Sequence, residues 1–278
     1  MSVVVVTDSS SRLTPDELKQ WDIRQVPLHV LVDLIDLRDG VDEVPYDVHE
    51  VPRASTAGAT PTDLAEMYRQ ALRDSGGDGV VAVHLSAALS SSYSSAVQAA
   101  REFGSSVRVV NSRSAAMGVG FTALTTARAA AGGSDLNSVE AVARSAVQRT
   151  RAFIVVHRLD NLRRSGRIGT AASWLGTAMS VKPLLCLDVD GRLVLDQRIR
   201  TISKAHATMV DQVADFVGDR QASIAVHHVD NHDGADEVGA ALTDRLPQLE
   251  ALTVRDMGAV LSIHVGAGAI GVVVQLAD

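Results

Sequence analysis

Two groups of residues in this chain combine types and spacing suited to chemistry. The first is Ser86-Ala87-Ala88-Leu89-Ser90-Ser91-Ser92-Tyr93-Ser94-Ser95. It follows Val80 to Leu85, a continuous apolar run that reads as a buried strand. In open α/β sheets, ligands bind off the carboxyl ends of strands. Hydroxyls at a helix start cap its free N–H groups, which accounts for one or two of these serines. A nucleophilic serine is a second reading, but the elbow motif G-x-S-x-G lacks both flanking glycines here. Hydroxyls that hydrogen-bond an oxyanion are the third reading, and it fits best.

The second group is Arg163, Arg164 and Arg167, within Leu159-Asp160-Asn161-Leu162-Arg163-Arg164-Ser165-Gly166-Arg167-Ile168-Gly169. A solvated charge run is the ordinary reading of such a cluster. Gly166 and Gly169 weaken it, because a glycine turn would let the backbone aim one guanidinium inward. Arg200, near the end of a hairpin strand, is placed to converge with Arg167. His264 precedes a Gly-rich turn, at what reads as a strand end. Alone, a histidine there is more often packed than functional.

Three other patterns imitate sites. Gly266-Ala267-Gly268-Ala269-Ile270-Gly271 matches G-x-G-x-x-G, but the fingerprint needs a following helix and a crossover to a second strand, and the chain ends within one strand. Gly118-Val119-Gly120 sits inside a helix start, where close helix packing is the preferred reading. His227, His228, Asp230, His232 and Asp233 suggest a metal site, yet consecutive strand residues point to opposite faces, so His227 and His228 cannot share an ion without a kink. A polar loop at a strand end is the better account.

The elements that must position these groups follow from pattern and composition. Val3 to Val6 reads as a strand, and Thr14-Pro15-Asp16-Glu17 as a helix cap with proline in the first turn. Thr60-Pro61-Thr62-Asp63 repeats that grammar before Leu64, Met67, Tyr68, Ala71 and Leu72, one face at helical spacing. Val107 to Val110 reads as a strand, and Val139, Val142, Ala143, Ala146 and Val147 mark a helix. Alternating strands and helices predict a parallel sheet covered on both faces. The second half differs. Phe153 to Val156 reads as a strand; Val181 to Leu187, Asp190-Gly191 and Arg192 to Ile199 form an antiparallel hairpin. A helix carrying Val210, Val213, Phe216 and Val217 follows. Ser223 to His228 reads as a strand and Ala235 to Leu246 as a helix. Ala259 to Ile263 and Val272 to Leu276 read as two strands. The expectation is an α/β protein of two domains: a three-layer α/β/α domain with a mainly parallel sheet over 1–150, and an α/β domain with a mixed sheet over 151–278.

The 278 residues are 46% hydrophobic and 21% charged, enough for a buried core in about two domains. Aromatics are only 3%, which argues against base-stacking platforms. The net charge of -7 repels polyanions, so nucleic acid is not an expected partner. One cysteine, Cys186, excludes an internal disulfide and a four-cysteine zinc site. Neither a signal peptide nor a spanning segment is recognisable, so the expected setting is cytoplasmic.

Taken together, the motifs resemble the DegV family of bacterial lipid-binding proteins, which includes the fatty-acid-binding subunits of fatty acid kinase. The resemblance runs nearly end to end. It covers Val6-Thr7-Asp8-Ser9-Ser10, the Thr56 to Pro61 segment, Leu89-Ser90-Ser91-Ser92-Tyr93, Leu162 to Ile168, Val181-Lys182-Pro183, Asp190-Gly191, Arg200-Thr201 and His264 to Gly271. It implies one long-chain acyl group held in an interior tunnel and presented to a separate ATP-dependent kinase subunit. The protein would be a non-catalytic carrier with no metal and no cofactor besides its fatty acid. Thr56 and Ser90 match the positions that hold the carboxylate. Arg167, Arg200 and His264 match positions near the head group, implicated with phosphate or kinase docking. The chain departs from the family pattern at Ala57, Ser91, Ser165 and Val265. Ala57 removes a hydroxyl from the expected head-group shell. Two other readings remain: a serine esterase or thioesterase with Ser90 as nucleophile and His264 as base, and a lipid-sensing regulatory protein.

Overall fold

The computed structural model describes residues 2–168 and 181–278. It divides into two compact units, one of residues 1–44 and 56–148, the other of 45–55 and 149–278.

The first unit opens with β1 (Val4–Asp8), a 3₁₀ turn (Ser9–Ser11), α1 (Pro15–Gln20), β2 (Arg24–Val26), β3 (His29–Val32) and β4 (Ile35–Arg38). β5 (Ser55–Ala57), α2 (Pro61–Asp74), β6 (Val80–His84), α3 (Ser92–Ala100), β7 (Val107–Asn111), α4 (Met117–Ala131) and α5 (Leu136–Gln148) complete it. Both α1 and α2 begin with a full capping box, Thr14 with Glu17 and Thr60 with Asp63, and proline in the first turn. The main sheet is parallel, in the order β2-β1-β6-β7. α4 and α5 pack together on β1, β6 and β7, and α2 and α3 form the other helical layer on the same strands. Every residue of β1 and β6 is buried, as a doubly covered central strand requires. α4 is also buried nearly all round; its Thr122 and Thr126 hydroxyls donate back to the Gly118 and Thr122 carbonyls, at 2.8 and 2.6 Å. Gly120 lets that helix approach closely. A Cβ there would lie 2.5 Å from the Ser11 carbonyl oxygen.

The second unit contains β8 (Thr150–Val155), α6 (Asp160–Arg164), β9 (Lys182–Leu187), β10 (Leu193–Ile199), α7 (Ile202–Val217), β11 (Ala222–His228), α8 (His232–Arg245), β12 (Leu249–Asp256), α9 (Ala259–Val265) and β13 (Ile270–Leu276). Its sheet is mixed, in the order β10-β9-β8-β13-β11-β12, with β11 and β12 the parallel pair. Strand alternation divides the core between two faces. Val155 and Leu184 pack with Val213, Met209 and Leu242 of α7 and α8, while their neighbours Ile154 and Leu185 pack with Leu162, Met257 and Leu261.

Two features depart from the sequence reading. Ala259 to Ile263, expected as a strand, is helical. A five-residue apolar run has no decisive period, and β13 already has a neighbour on each side in β8 and β11. Glycines with φ of 80° and 79°, Gly258 and Gly266, bound α9. Second, Pro45–Ser55 belongs to the second unit although the chain returns to the first at Thr56. No shift in composition announces that excursion.

Candidate functional site

In the parallel sheet, β1 and β6 are neighbours, with β2 beyond one and β7 beyond the other. The strand order reverses between them, so their C-terminal ends border the crevice where such sheets bind ligands. Those ends are Asp8 and His84, and they are joined: Asp8 Oδ2 lies 3.0 Å from His84 Nδ1. The same oxygen accepts from Leu85 N at 3.0 Å, and Oδ1 accepts from Ser10 N at 3.1 Å and from the Ser10 hydroxyl. His84 Nε2 lies 2.8 Å from the Tyr68 hydroxyl. The whole relay is buried. Burial alone would raise the Asp8 pKa, but the hydrogen bond and charge of His84, with Ser10 and Leu85 N, outweigh it and hold the carboxyl below its ordinary range. Burial and then the Asp8 charge push the Tyr68 phenol up. This network fixes the floor of the crevice and the first residue of the loop above it.

That loop carries the serine cluster, and several of its hydroxyls serve the loop itself. Ser86 N donates to the Ser114 carbonyl at 2.9 Å, the Ser86 carbonyl accepts from Leu89 N and Ser90 N, and Ser86 Oγ accepts from Ala88 N. Ser94 Oγ donates to the Ser91 carbonyl. Local structure thus accounts for more of the serines than capping predicts. Ser90 is different. Its Oγ accepts from Ser92 N at 3.2 Å and shares a 2.9 Å bond with Ser92 Oγ. Two hydroxyls joined by one bond retain one further O–H to donate. Beside them is the N-terminus of α3, whose N–H groups favour an anion.

The Thr56 segment reaches the same corner. A Cβ on Gly58 would lie 2.5 Å from Ser92 Oγ and 3.2 Å from Ser92 N, so the backbone two residues after Thr56 lies against the start of α3. Thr56 is half-buried on β5; Ala57 is exposed. Gly58 and Ser92 were not singled out from sequence. The signal for Gly58 was its position between Thr56 and the Thr60-Pro61 cap.

The second unit gathers different chemistry. Gly166 has φ of 73° and ends the turn after α6, leaving Arg167 half-buried with Nη1 2.5 Å from the Ser165 carbonyl. Gly169, the other glycine expected to shape this turn, lies outside the described residues. His264 sits in the last turn of α9, not at a strand end. A helix C-terminus favours a protonated imidazole. Burial, and then the Arg167 charge, override it and lower the His264 pKa to about 4. The Arg167 charge is therefore felt at His264. Arg200 is exposed one residue beyond β10, beside Thr201, which caps α7. It does not contribute to the shift of His264. His227 and His228 occupy consecutive positions of β11, opposite Gly271 and Ile270.

A family model described as "Uncharacterised protein, DegV family" matches residues 2–276. The chain belongs to the DegV family. A DegV domain-containing protein of Mycobacterium tuberculosis H37Rv is 59% identical over 276 residues, covering 99% of this chain and 98% of the relative. A solved DegV family structure from Thermus thermophilus, described as showing fatty acid binding, superposes with a TM-score of 0.93 at 29% identity, with both chains fully covered. DegV of Bacillus subtilis, described as a fatty acid binding protein, superposes at 0.87 with 26% identity, again over all of both chains. The parallel four-stranded sheet and the separate mixed six-stranded sheet are the DegV architecture. No helix among the described residues is long and apolar enough to cross a membrane.

Proposed function

We propose that the protein binds a long-chain fatty acid in an interior tunnel and presents the carboxylate to a separate ATP-dependent kinase. The carboxylate oxygen attacks the γ-phosphorus of ATP, the bond to ADP breaks, and the protein carries the acyl phosphate away. It is itself no catalyst. The observation that carries this reading is the meeting of the Thr56–Gly58 segment with the Ser90–Ser92 pair at the α3 N-terminus, in a chain whose solved relatives bind fatty acids.

Thr56 and Ser90 hold the carboxylate in this proposal. Hydroxyls give charge-assisted bonds without a buried cation, which suits a carrier that must release its cargo. Burying ~15 methylene groups at ~0.8 kcal/mol each gains roughly 12 kcal/mol gross, much of it consumed by ordering the chain and losing translational freedom. Arg167, Arg200 and His264 serve the head group once phosphate adds charge, or the docking of the kinase. The expected setting is the cytoplasm, in the supply of acyl groups for phospholipid synthesis.

Native mass spectrometry of protein purified from cells tests the reading. An added mass of a C14 to C18 acid is expected. Delipidated protein that rebinds none of these acids would overturn it. A carrier is distinguished from a lipid sensor by adding the cognate kinase and ATP, since only a carrier yields acyl phosphate.

A further inference from the structure

The Pro45–Ser55 excursion packs on the elements that carry the cationic pair. Its 3₁₀ turn, Val48–Glu50, lies against α9, which bears His264. Val48 and His49 are both buried. His49 Nε2 lies 2.9 Å from Asp230 Oδ2, off the line of a regular hydrogen bond, so the contact is a close polar approach. Tyr46 donates its hydroxyl to the same carboxylate. Asp230 itself has φ of 50° in the turn after β11, the left-handed region that aspartate enters more readily than most non-glycine residues. On the other side, the His49 carbonyl accepts from Asn161 Nδ2 of α6, the helix that leads to Arg167, at 3.5 Å. Asn161 also abuts Gly266 at the end of α9; a Cβ there would lie 3.0 Å from its Nδ2.

We propose that His49 is a positioning residue: held by Asp230, it wedges between α6 and α9 and fixes the approach of Arg167 to His264. This deepens the functional reading above, and rests on it for the use of that pair.

The His264 imidazole reports the clamp, because its pKa is lowered by burial and by Arg167. Its ring resonances are titrated by NMR in the full-length protein without ligand or kinase. In His49→Ala the His264 pKa is expected to rise by about one unit or more, about tenfold in proton affinity. Asp230→Ala should do the same. Asp230→Asn, which keeps a partner for His49, should restore most of the wild-type value. An unchanged His264 pKa in folded His49→Ala overturns the proposal. If that variant does not fold, Asp230→Ala against Asp230→Asn decides, and equal His264 titration in the two overturns it. Fatty-acid binding by the wild type is a separate measurement; its failure would remove the functional reading and leave the clamp standing.

Discussion

The two units solve opposite electrostatic problems. In the first, neutral hydroxyls and helix N–H groups stand above a fully buried carboxylate, Asp8, whose negative charge is held by His84. In the second, a half-buried guanidinium acts on a half-buried imidazole, whose pKa is lowered to about 4. A crevice of hydroxyl donors suits a single negative charge that must leave again. A cationic pair suits a group with more charge, such as a phosphate. The division teaches that binding and phosphorylation should be separable by mutation.

The largest effect should come from the floor of the first unit. Asp8→Ala leaves His84 Nδ1, Leu85 N and Ser10 N buried without their acceptor, and should cost about 3–5 kcal/mol in chemical denaturation. A loss under about 1 kcal/mol would mean the relay is not what organises the crevice. The sign of the pH dependence follows from the lowered Asp8 pKa. Its contribution is fully present above the unfolded value of 3.8 and is lost as pH falls through the lower folded value.

The second unit should respond to acid at higher pH. His264 binds its proton at about 4 when folded, against 6.5 in the unfolded chain. Its neutral form therefore favours the folded state fully above 6.5, and that contribution fades as pH falls towards 4, by at most roughly 3 kcal/mol. Urea unfolding between those pH values, compared with His264→Gln, measures it. Identical pH profiles for the two proteins would break the electrostatic contrast between the units.

Function should divide along the same line. Ser90→Ala removes a charge-assisted hydrogen bond and should weaken fatty-acid binding by about 1.5–3 kcal/mol, roughly ten- to a hundredfold by calorimetry. Arg167→Ala should impair kinase-coupled phosphorylation more than it impairs binding. Equal losses of both activities in Arg167→Ala would refute the head-group role given to it.

Much of the fold was legible because its signals are local. Capping residues and apolar periodicity marked α2 and α5, and the run Val80–Leu85 marked β6. The short strands β2 to β4 left little pattern, and α9 was misread because its few apolar residues fit either period. Ser90, Arg167 and His264 stand out in their own segments, and motif resemblance adds Thr56 and the role of each. What sequence did not reveal was long-range: that Asp8 meets His84 across 76 residues, that Gly58 abuts Ser92, and that His49 leaves the neighbourhood of its own sequence to join Asp230. Such partners depend on strand order and loop path, which no single segment encodes.

The smallest predicted effect concerns a departure from the family pattern. The resemblance implies a serine after the matching threonine, and this chain has Ala57 there. The residue is exposed on β5, so a serine there meets no packing obstacle and should change stability by less than about 0.5 kcal/mol. Its added hydroxyl stands one residue from Thr56 and one from Gly58, whose backbone lies against the α3 N-terminus. If the first unit binds a carboxylate through hydroxyl count, Ala57→Ser should tighten fatty-acid binding by about 1 kcal/mol or less, no more than several-fold. Phosphorylation per bound lipid should stay the same, because the cationic pair is untouched. Tighter binding with that ratio preserved would sharpen the separation of the two units. A changed phosphorylation ratio without a change in affinity would place the first unit's hydroxyls in the transfer step and break it.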